Sequence, residues 1–132
     1  MFKVKGKVEF YTSWCIAWVD DEIREYYSSL VPKYFYLQPP AAKAHATIVR
    51  KSIEQVQDWS VWNKPYEVDI EYDGLIQYDD VYFWLNCWSK DIGDLREKFG
   101  LPRFRAGFDR YHITIGNRKK DFNVNNNQNR SS

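Results

Sequence analysis

Hydrophobic and polar residues alternate strictly near the start of the chain. Between residues 3 and 10 (KVKGKVEF), Val4, Val8 and Phe10 fall on one face of an extended segment, and charged residues fall on the other. The stretch Glu67–Tyr72 alternates in the same way. This period of two is typical of β-strands with one buried and one exposed face, so the sequence predicts strands in both places.

Three further segments are apolar enough to predict strands, and the residues Asp73-Gly74 and Asp79-Asp80 predict a break after Glu67–Tyr72. Val81–Trp88 is apolar on both faces, which is typical of a central strand. The other two are His45–Val49 and Tyr111–Ile115. An apolar run over Trp14–Val19 precedes the acidic pair Asp20-Asp21.

Helical spacing appears in the segments between these strands. After Asp20-Asp21, apolar residues recur every three or four positions, at Ile23, Tyr26, Tyr27 and Leu30. Asp91–Phe99 predicts another helix, which Gly100 ends, and 52–62 predicts a shorter one. Strands and helices therefore mix irregularly, which favours an α+β fold with an antiparallel or mixed sheet. We expect one domain over residues 1–117 and a flexible Asn-rich tail over 118–132.

Charge and composition exclude several functional classes. The chain has 132 residues and a formal net charge of +1, so no strong overall field attracts a long polyanion. It has no apolar run of the roughly 18 residues that a membrane span needs, and no secretory h-region follows the basic N-terminus. Cys15 and Cys87 match no metal or redox spacing, which favours two reduced, buried thiols and a cytoplasmic location.

The two histidines lie in the same local pattern. Lys43-Ala44-His45-Ala46-Thr47-Ile48 and Arg110-Tyr111-His112-Ile113-Thr114-Ile115 each place a basic residue two positions before the histidine and a threonine two positions after it. The chain contains only three threonines, so random placement would put one after both histidines with a chance on the order of 1 in 2,000. We therefore interpret the repeat as functional.

On a strand, residues i and i+2 point to the same face, so each histidine shares a face with its threonine. If the two strands are neighbours, one cleft holds two imidazoles, two hydroxyls and the cations Lys43 and Arg110. Imidazole titrates near neutral pH and can serve as general acid or base, while hydroxyls and cations can hold a phosphate. The candidate catalytic residues are thus His45, Thr47, His112 and Thr114, with Lys43 and Arg110 as substrate-binding candidates.

Other readings of the same residues stay open. A histidine on a strand is commonly a hydrogen-bonded structural residue, and two histidines with a carboxylate can bind iron or zinc. Threonine, and not Asp or Glu, stands at both i+2 positions, which disfavours a metal site. The chain also lacks GxSxG, P-loop and GxGxxG motifs.

The two H-x-T-Φ tetrads, 67 positions apart, resemble those of the 2H phosphoesterase family, and the resemblance covers residues 3–117. It implies a compact bilobal fold in which two β-rich lobes with flanking helices face each other across a groove. It also implies metal-independent cleavage of RNA-like phosphodiesters without a cofactor, with both histidines as the acid–base pair and both threonines on the phosphate. The phage anti-CBASS nucleases of this family, which hydrolyse cyclic oligonucleotide messengers of bacterial immunity, are similarly small.

The near-zero charge favours a small nucleotide or cyclic oligonucleotide over long RNA, because each phosphate bound along a polymer adds to the need for cations. Tyr11 is a candidate for stacking on a base. We expect a cytoplasmic monomer or weak oligomer with no membrane partner, acting in the host cytoplasm if viral. RNA-end processing, 2′,5′-oligoadenylate cleavage, a non-catalytic nucleotide sponge and a structural protein remain alternatives.

Overall fold

Six antiparallel strands close into a barrel in the computed structural model of the chain, which describes residues 1–11, 14–50, 54 and 66–118. In chain order, the strands are β1 (Phe2–Tyr11), β2 (Trp14–Trp18), β3 (His45–Val49), β4 (Tyr66–Tyr78), β5 (Tyr82–Trp88) and β6 (Tyr111–Asn117). Around the barrel the order is β1, β2, β3, β6, β5 and β4, and β4 pairs back with β1. Each of these strands therefore has a neighbour on both sides.

Among the described residues, two short α-helices and one 3-10 helix connect the strands. The helix α1 (Glu22–Ser29) follows β2, the 3-10 helix spans Lys33–Phe35, and α2 (Lys90–Lys98) follows β5. Asp20 accepts a hydrogen bond from the backbone N–H of Glu22, which satisfies a free donor at the start of α1. Ser89 caps α2 by accepting the backbone N–H of Ile92.

The hydrophobic core lies where the helices pack on the barrel strands. The helix α1 packs against β6, and α2 packs against β3 and β4. The buried residues that share this core on β3, β6 and the two helices are Ala46, Ile48, Ile113, Ile115, Ile23, Ile92, Leu95 and Phe99. Because side chains alternate along a strand, the residues between them on β3 and β6 point away from the helices.

The predicted fold class was wrong. We expected a bilobal α+β fold, but the described residues form one closed antiparallel barrel with helices of only eight and nine residues. The reason is the strand pairing. Because β1 pairs with both β2 and β4, and β3 pairs with β6, the described strands form one continuous sheet and not two separate lobes. Periodicity identifies a strand, but it does not identify the partner of that strand.

The predicted end of a strand at Asp73-Gly74 was also wrong. The strand β4 continues to Tyr78, and its pairing with β5 shifts register between Tyr72 and Ile76. Gly74 lies inside this irregularity with a φ of +72°, which glycine adopts without steric cost. The sequence signal therefore marked a bulge within one strand.

Some predictions fall outside the described residues: the helix over 52–62, apart from Glu54, and the tail beyond Arg118. The expected buried thiols are confirmed, since Cys15 and Cys87 are both buried and free. Within the described ranges, no helix has the length and hydrophobicity to cross a bilayer.

Candidate active site

The two H-x-T tetrads lie on neighbouring strands. Ala46 of β3 pairs with Ile113 of β6 in antiparallel register. Continued by one residue in each direction, this register sets His45 opposite Thr114 and Thr47 opposite His112. Directly opposed side chains have Cβ atoms about 4.5–5.5 Å apart, and diagonal neighbours are about 7–8 Å apart. On this register the two histidines would be diagonal neighbours, and each would face the threonine of the other tetrad.

These four side chains line one cavity of about 700 Å³. All four are half-buried, whereas Ala46 and Ile113 between them are fully buried on the opposite face. The sheet thus divides the tetrads into a core face and a cavity face. The cavity face presents two imidazoles and two hydroxyls within reach of one bound group.

The backbone around the start of β3 holds His45 in place. Asp21, at the start of α1, accepts a hydrogen bond from the backbone N–H of Ala44 at 2.8 Å. Nδ1 of His45 lies 2.7 Å from the backbone carbonyl of Lys43. Because a carbonyl can only accept, Nδ1 carries the hydrogen, and Nε2 is the ring atom that can exchange a proton with a substrate. The indole of Trp18 packs edge-on against the imidazole, 5.4 Å between ring centroids.

His112 lies in a more apolar environment. Its ring centroid is 5.2 Å from that of Trp84 and 5.7 Å from that of Phe108. Burial lowers the pKa of His112, and the nearby cations Arg105 and Arg110 lower it further. The neutral imidazole is therefore favoured near neutral pH, which suits a general base.

A buried amide holds one of the aromatic rings that contact His112. Asn86 of β5 pairs with His112 in the β5–β6 register and is only 7% exposed. Its Oδ1 accepts a hydrogen bond of 3.0 Å from Nε1 of Trp84. This bond fixes the Trp84 ring, which in turn contacts the His112 ring.

Guanidinium groups line the cavity together with the histidines. Arg50, Arg105 and Arg110 contribute to its lining. Arg110 forms an ion pair of 2.6 Å with Asp109. The Asp79 carboxylate also lines the cavity, and it accepts the backbone N–H groups of Val81 and Tyr82.

A fourth arginine in the lining has a structural role. Arg96 is 3% exposed and forms a bidentate ion pair with Glu54. It also donates to the carbonyls of Ile48 and Pro102. The Glu54 carboxylate therefore compensates this cation, and Arg96 joins α2 to β3 and to the segment that follows α2.

The remaining sequence-predicted residues lie at or beyond the rim. The side chain of Lys43 is exposed and is not part of the cavity lining; its carbonyl, not its ammonium, contacts His45. Tyr11 does not line the cavity either, but it stacks on Trp14, which does, with 4.5 Å between ring centroids. Of the predicted cations, only Arg110 lies in the lining.

Sequence reasoning did not select several residues that the fold brings to the cavity. Trp84, Arg50, Arg105 and Phe108 line it, and Asn86, which is outside the lining, pairs with His112 in the β5–β6 register. Trp84 and Asn86 had a detectable signal, since they alternate with the core residues Phe83, Leu85 and Cys87 along β5. Arg50 and Arg105 stood out only as members of small basic clusters, which exposed surfaces also contain.

The donor set does not resemble a metal centre. Among the described residues, no three His, Cys, Asp or Glu side chains are grouped so that they could hold a metal ion. Comparison of the chain with protein-family models, with curated proteins and with solved structures finds no match.

Proposed function

We propose that the chain is a metal-independent phosphodiesterase that cleaves a small ribonucleotide, with a cyclic oligonucleotide messenger as the leading substrate. The observation that carries the proposal is the placement of both histidines and both tetrad threonines on one cavity face, bordered by guanidinium groups. The tetrads that motivate it resemble those of 2H phosphoesterases. Two imidazoles beside one phosphate supply the base and the acid that a phosphodiester cleavage requires.

The two histidines take different roles in this mechanism. His112, neutral because of its apolar and cationic surroundings, accepts the proton of the ribose 2′-hydroxyl. The 2′-oxygen then forms a bond to phosphorus, and the bond from phosphorus to the 5′-oxygen breaks. His45, which enters this step with a hydrogen on both ring nitrogens, donates the Nε2 proton to that leaving oxygen, while the Lys43 carbonyl accepts a hydrogen bond from Nδ1–H. The products are a 2′,3′-cyclic phosphate and a free 5′-hydroxyl.

Hydroxyls and cations hold the charge that builds on the phosphoryl oxygens. Thr47 and Thr114 line the same cavity as the histidines, from which their hydroxyls donate to the non-bridging oxygens. Arg110 lies near enough to His112 to lower its pKa, so its charge also reaches the phosphate. This positive field disfavours a divalent cation beside His112, and the proposal therefore includes no metal.

The size and rim of the cavity support a small substrate. About 700 Å³ lies within the usual range for small-molecule sites, roughly 300–1,000 Å³. Trp14, Tyr82 and Phe108 line it, and Tyr11 stacks behind Trp14. Aromatic rings of this kind can stack on nucleobases. The buried free thiols accord with a reducing compartment, so we place the activity in the cytoplasm.

Incubation with a panel of nucleotides in EDTA tests the proposal. The panel contains cyclic di- and trinucleotides, 2′,5′-oligoadenylate and a linear RNA ending in a 2′,3′-cyclic phosphate, and mass spectrometry identifies the products. We expect cyclic oligonucleotides to be cleaved to linear species. Preferred opening of the linear RNA end would indicate RNA-end processing. Recovery of intact ligand from a stable complex would indicate a sponge and would overturn the proposed activity, as would activity that EDTA abolishes.

A further inference from the structure

The cavity contains more positive charge than one phosphodiester needs. Arg50, Arg105 and Arg110 line it. Of the two carboxylates in the lining, Glu54 pairs with Arg96, which leaves Asp79. A single scissile phosphodiester carries one negative charge. The Asp109 carboxylate pairs with Arg110, so Arg105 and Arg50 carry the remaining cationic charge.

The guanidinium group of Arg105 is held in a fixed orientation, as in a binding site that is formed before the ligand arrives. Its guanidinium carbon lies 4.5 Å from the centroid of the Phe108 ring, a cation–π contact that orients the planar group. The side chain is half-buried, and among the described residues no carboxylate forms an ion pair with it. A guanidinium fixed in this way presents its N–H groups with little loss of conformational freedom on binding.

Contacts with Phe108 also limit the distance between Arg105 and His112. The same ring whose centroid lies 4.5 Å from Arg105 lies 5.7 Å from the ring of His112. The guanidinium and the imidazole are therefore no farther apart than these two distances combined. This upper limit on the separation lets Arg105 contact the group that follows the reacting phosphate along a nucleotide.

The free protein holds these cations together against their mutual repulsion. Burial lowers the pKa of Arg105, and the charges of Arg50 and Arg96 lower it further, with only Glu54 acting in the opposite sense. An anion bound between Arg50 and Arg105 would relieve this repulsion.

We propose that Arg105, with Arg50, forms a second phosphate subsite, so that the preferred substrate carries at least two phosphate groups. One phosphate lies at the histidine pair and is cleaved, and the other binds at Arg105 and is not. This inference rests on the proposed function and specifies its substrate class. It also assigns to Arg105 a role in affinity that is separate from the chemical step.

Arg105→Gln tests the subsite with substrates that differ in phosphate number. ApA carries one phosphodiester, whereas cyclic di-AMP carries two, and linear pApA carries a diester and a terminal monoester. At pH 8, where His112 is neutral in both proteins, we expect Arg105→Gln to raise KM for cyclic di-AMP about tenfold or more and to leave ApA within about twofold. Arg105→Lys should recover part of the affinity. A loss on pApA like that on cyclic di-AMP would show that either form of phosphate binds.

Lys98→Gln is the matched control, because it removes one positive charge from an exposed position outside the cavity lining. It should leave KM for both substrates unchanged. Equal losses on ApA and cyclic di-AMP, or no loss on either, would overturn the subsite.

Calorimetric binding separates this inference from the proposed activity. If neither dinucleotide is cleaved, the proposed function fails, but binding of the same two compounds still decides the subsite. Weaker binding of cyclic di-AMP alone by Arg105→Gln would support it. Equal binding by both proteins, or no binding of either compound by the wild type, would overturn it.

Discussion

His45 and His112 stand in matching sequence patterns but in different environments. His45 is anchored through Nδ1 to the Lys43 carbonyl, whereas His112 lies between the rings of Trp84 and Phe108. Cations and apolar surroundings disfavour the imidazolium form of His112. The asymmetry supports the distinct roles that we propose for the two histidines, which the repeated tetrad alone does not distinguish.

An NMR titration of the imidazole resonances tests this difference, and it is simple because the chain has only two histidines. We expect the pKa of His112 to lie below 6.5, the ordinary value, because burial and the positive charges of Arg105 and Arg110 oppose protonation. Arg105→Gln removes one of these charges and should raise the pKa toward 6.5, and Lys98→Gln should not. A pKa at or above 6.5 in the wild type would contradict the assignment of His112 as the base.

The candidate site was predictable from sequence only where a pattern repeats. Both histidines and both threonines were selected because the tetrad occurs twice in a chain with few of either residue. Asn86 and Arg105 had no such repeat, and they reach the site through the β5–β6 register and through the segment that precedes β6. Lys43 matched the pattern, but the strand begins at His45 and leaves its side chain exposed.

At the scale of elements, one buried arginine connects α2 to the strand that carries His45. Arg96 is only 3% exposed to solvent, and it donates hydrogen bonds to the carbonyl of Ile48 on β3 and to the carboxylate of Glu54. Removal of one partner from a buried ion pair leaves an uncompensated charge, which is strongly destabilising. Arg96 therefore affects the position of the tetrad through its hydrogen bond to β3.

Arg96→Ala should lower the free energy of unfolding by about 3–5 kcal/mol, measured by urea denaturation. Lys90→Ala is the matched control on the same helix, because Lys90 forms an ion pair with Asp94 at 83% exposure and should leave the midpoint unchanged. The double variant Arg96→Ala/Glu54→Gln should recover part of the loss, since it removes the unpaired carboxylate. Similar effects of Arg96→Ala and Lys90→Ala would refute the structural role of the buried pair.

Elements with strong local signals were predicted well. The strand β3 has the predicted bounds, and the bounds of α2 differ from the prediction by one residue at each end. Caps and periodicity are local, so the sequence contains them directly. The strand β4 extends past Asp73-Gly74 because pairing with β5 stabilises a bulge that local turn signals would treat as an end.

At the scale of the whole molecule, barrel closure was not predictable from these local signals. The pairing of β1 with β4 joins residues 58 to 70 positions apart, such as Val4 and Ile70. The same elements are compatible with two separate lobes, and only long-range register decides between them. The barrel nevertheless brings both tetrads to one cavity, because β3 and β6 are neighbours in it.

The near-neutral charge of the molecule predicts that substrate affinity depends only weakly on salt concentration. A substrate with two bound phosphates should give a slope of log affinity against log salt of about −1.4, from roughly −0.7 per phosphate on a single strand. The slope is obtained by measuring KM for cyclic di-AMP at KCl concentrations from about 50 to about 200 mM. A slope near −4 or steeper would indicate an extended basic track and a long RNA substrate.

The most direct test of the central claim is the turnover of His45→Ala and His112→Ala on the cyclic substrate that the wild type cleaves. Each variant should lose at least about 10²-fold in kcat, because each removes a general acid or base, while thermal unfolding shows that both remain folded. Lys98→Gln should keep the wild-type rate. Full activity of either histidine variant would contradict the two-histidine mechanism.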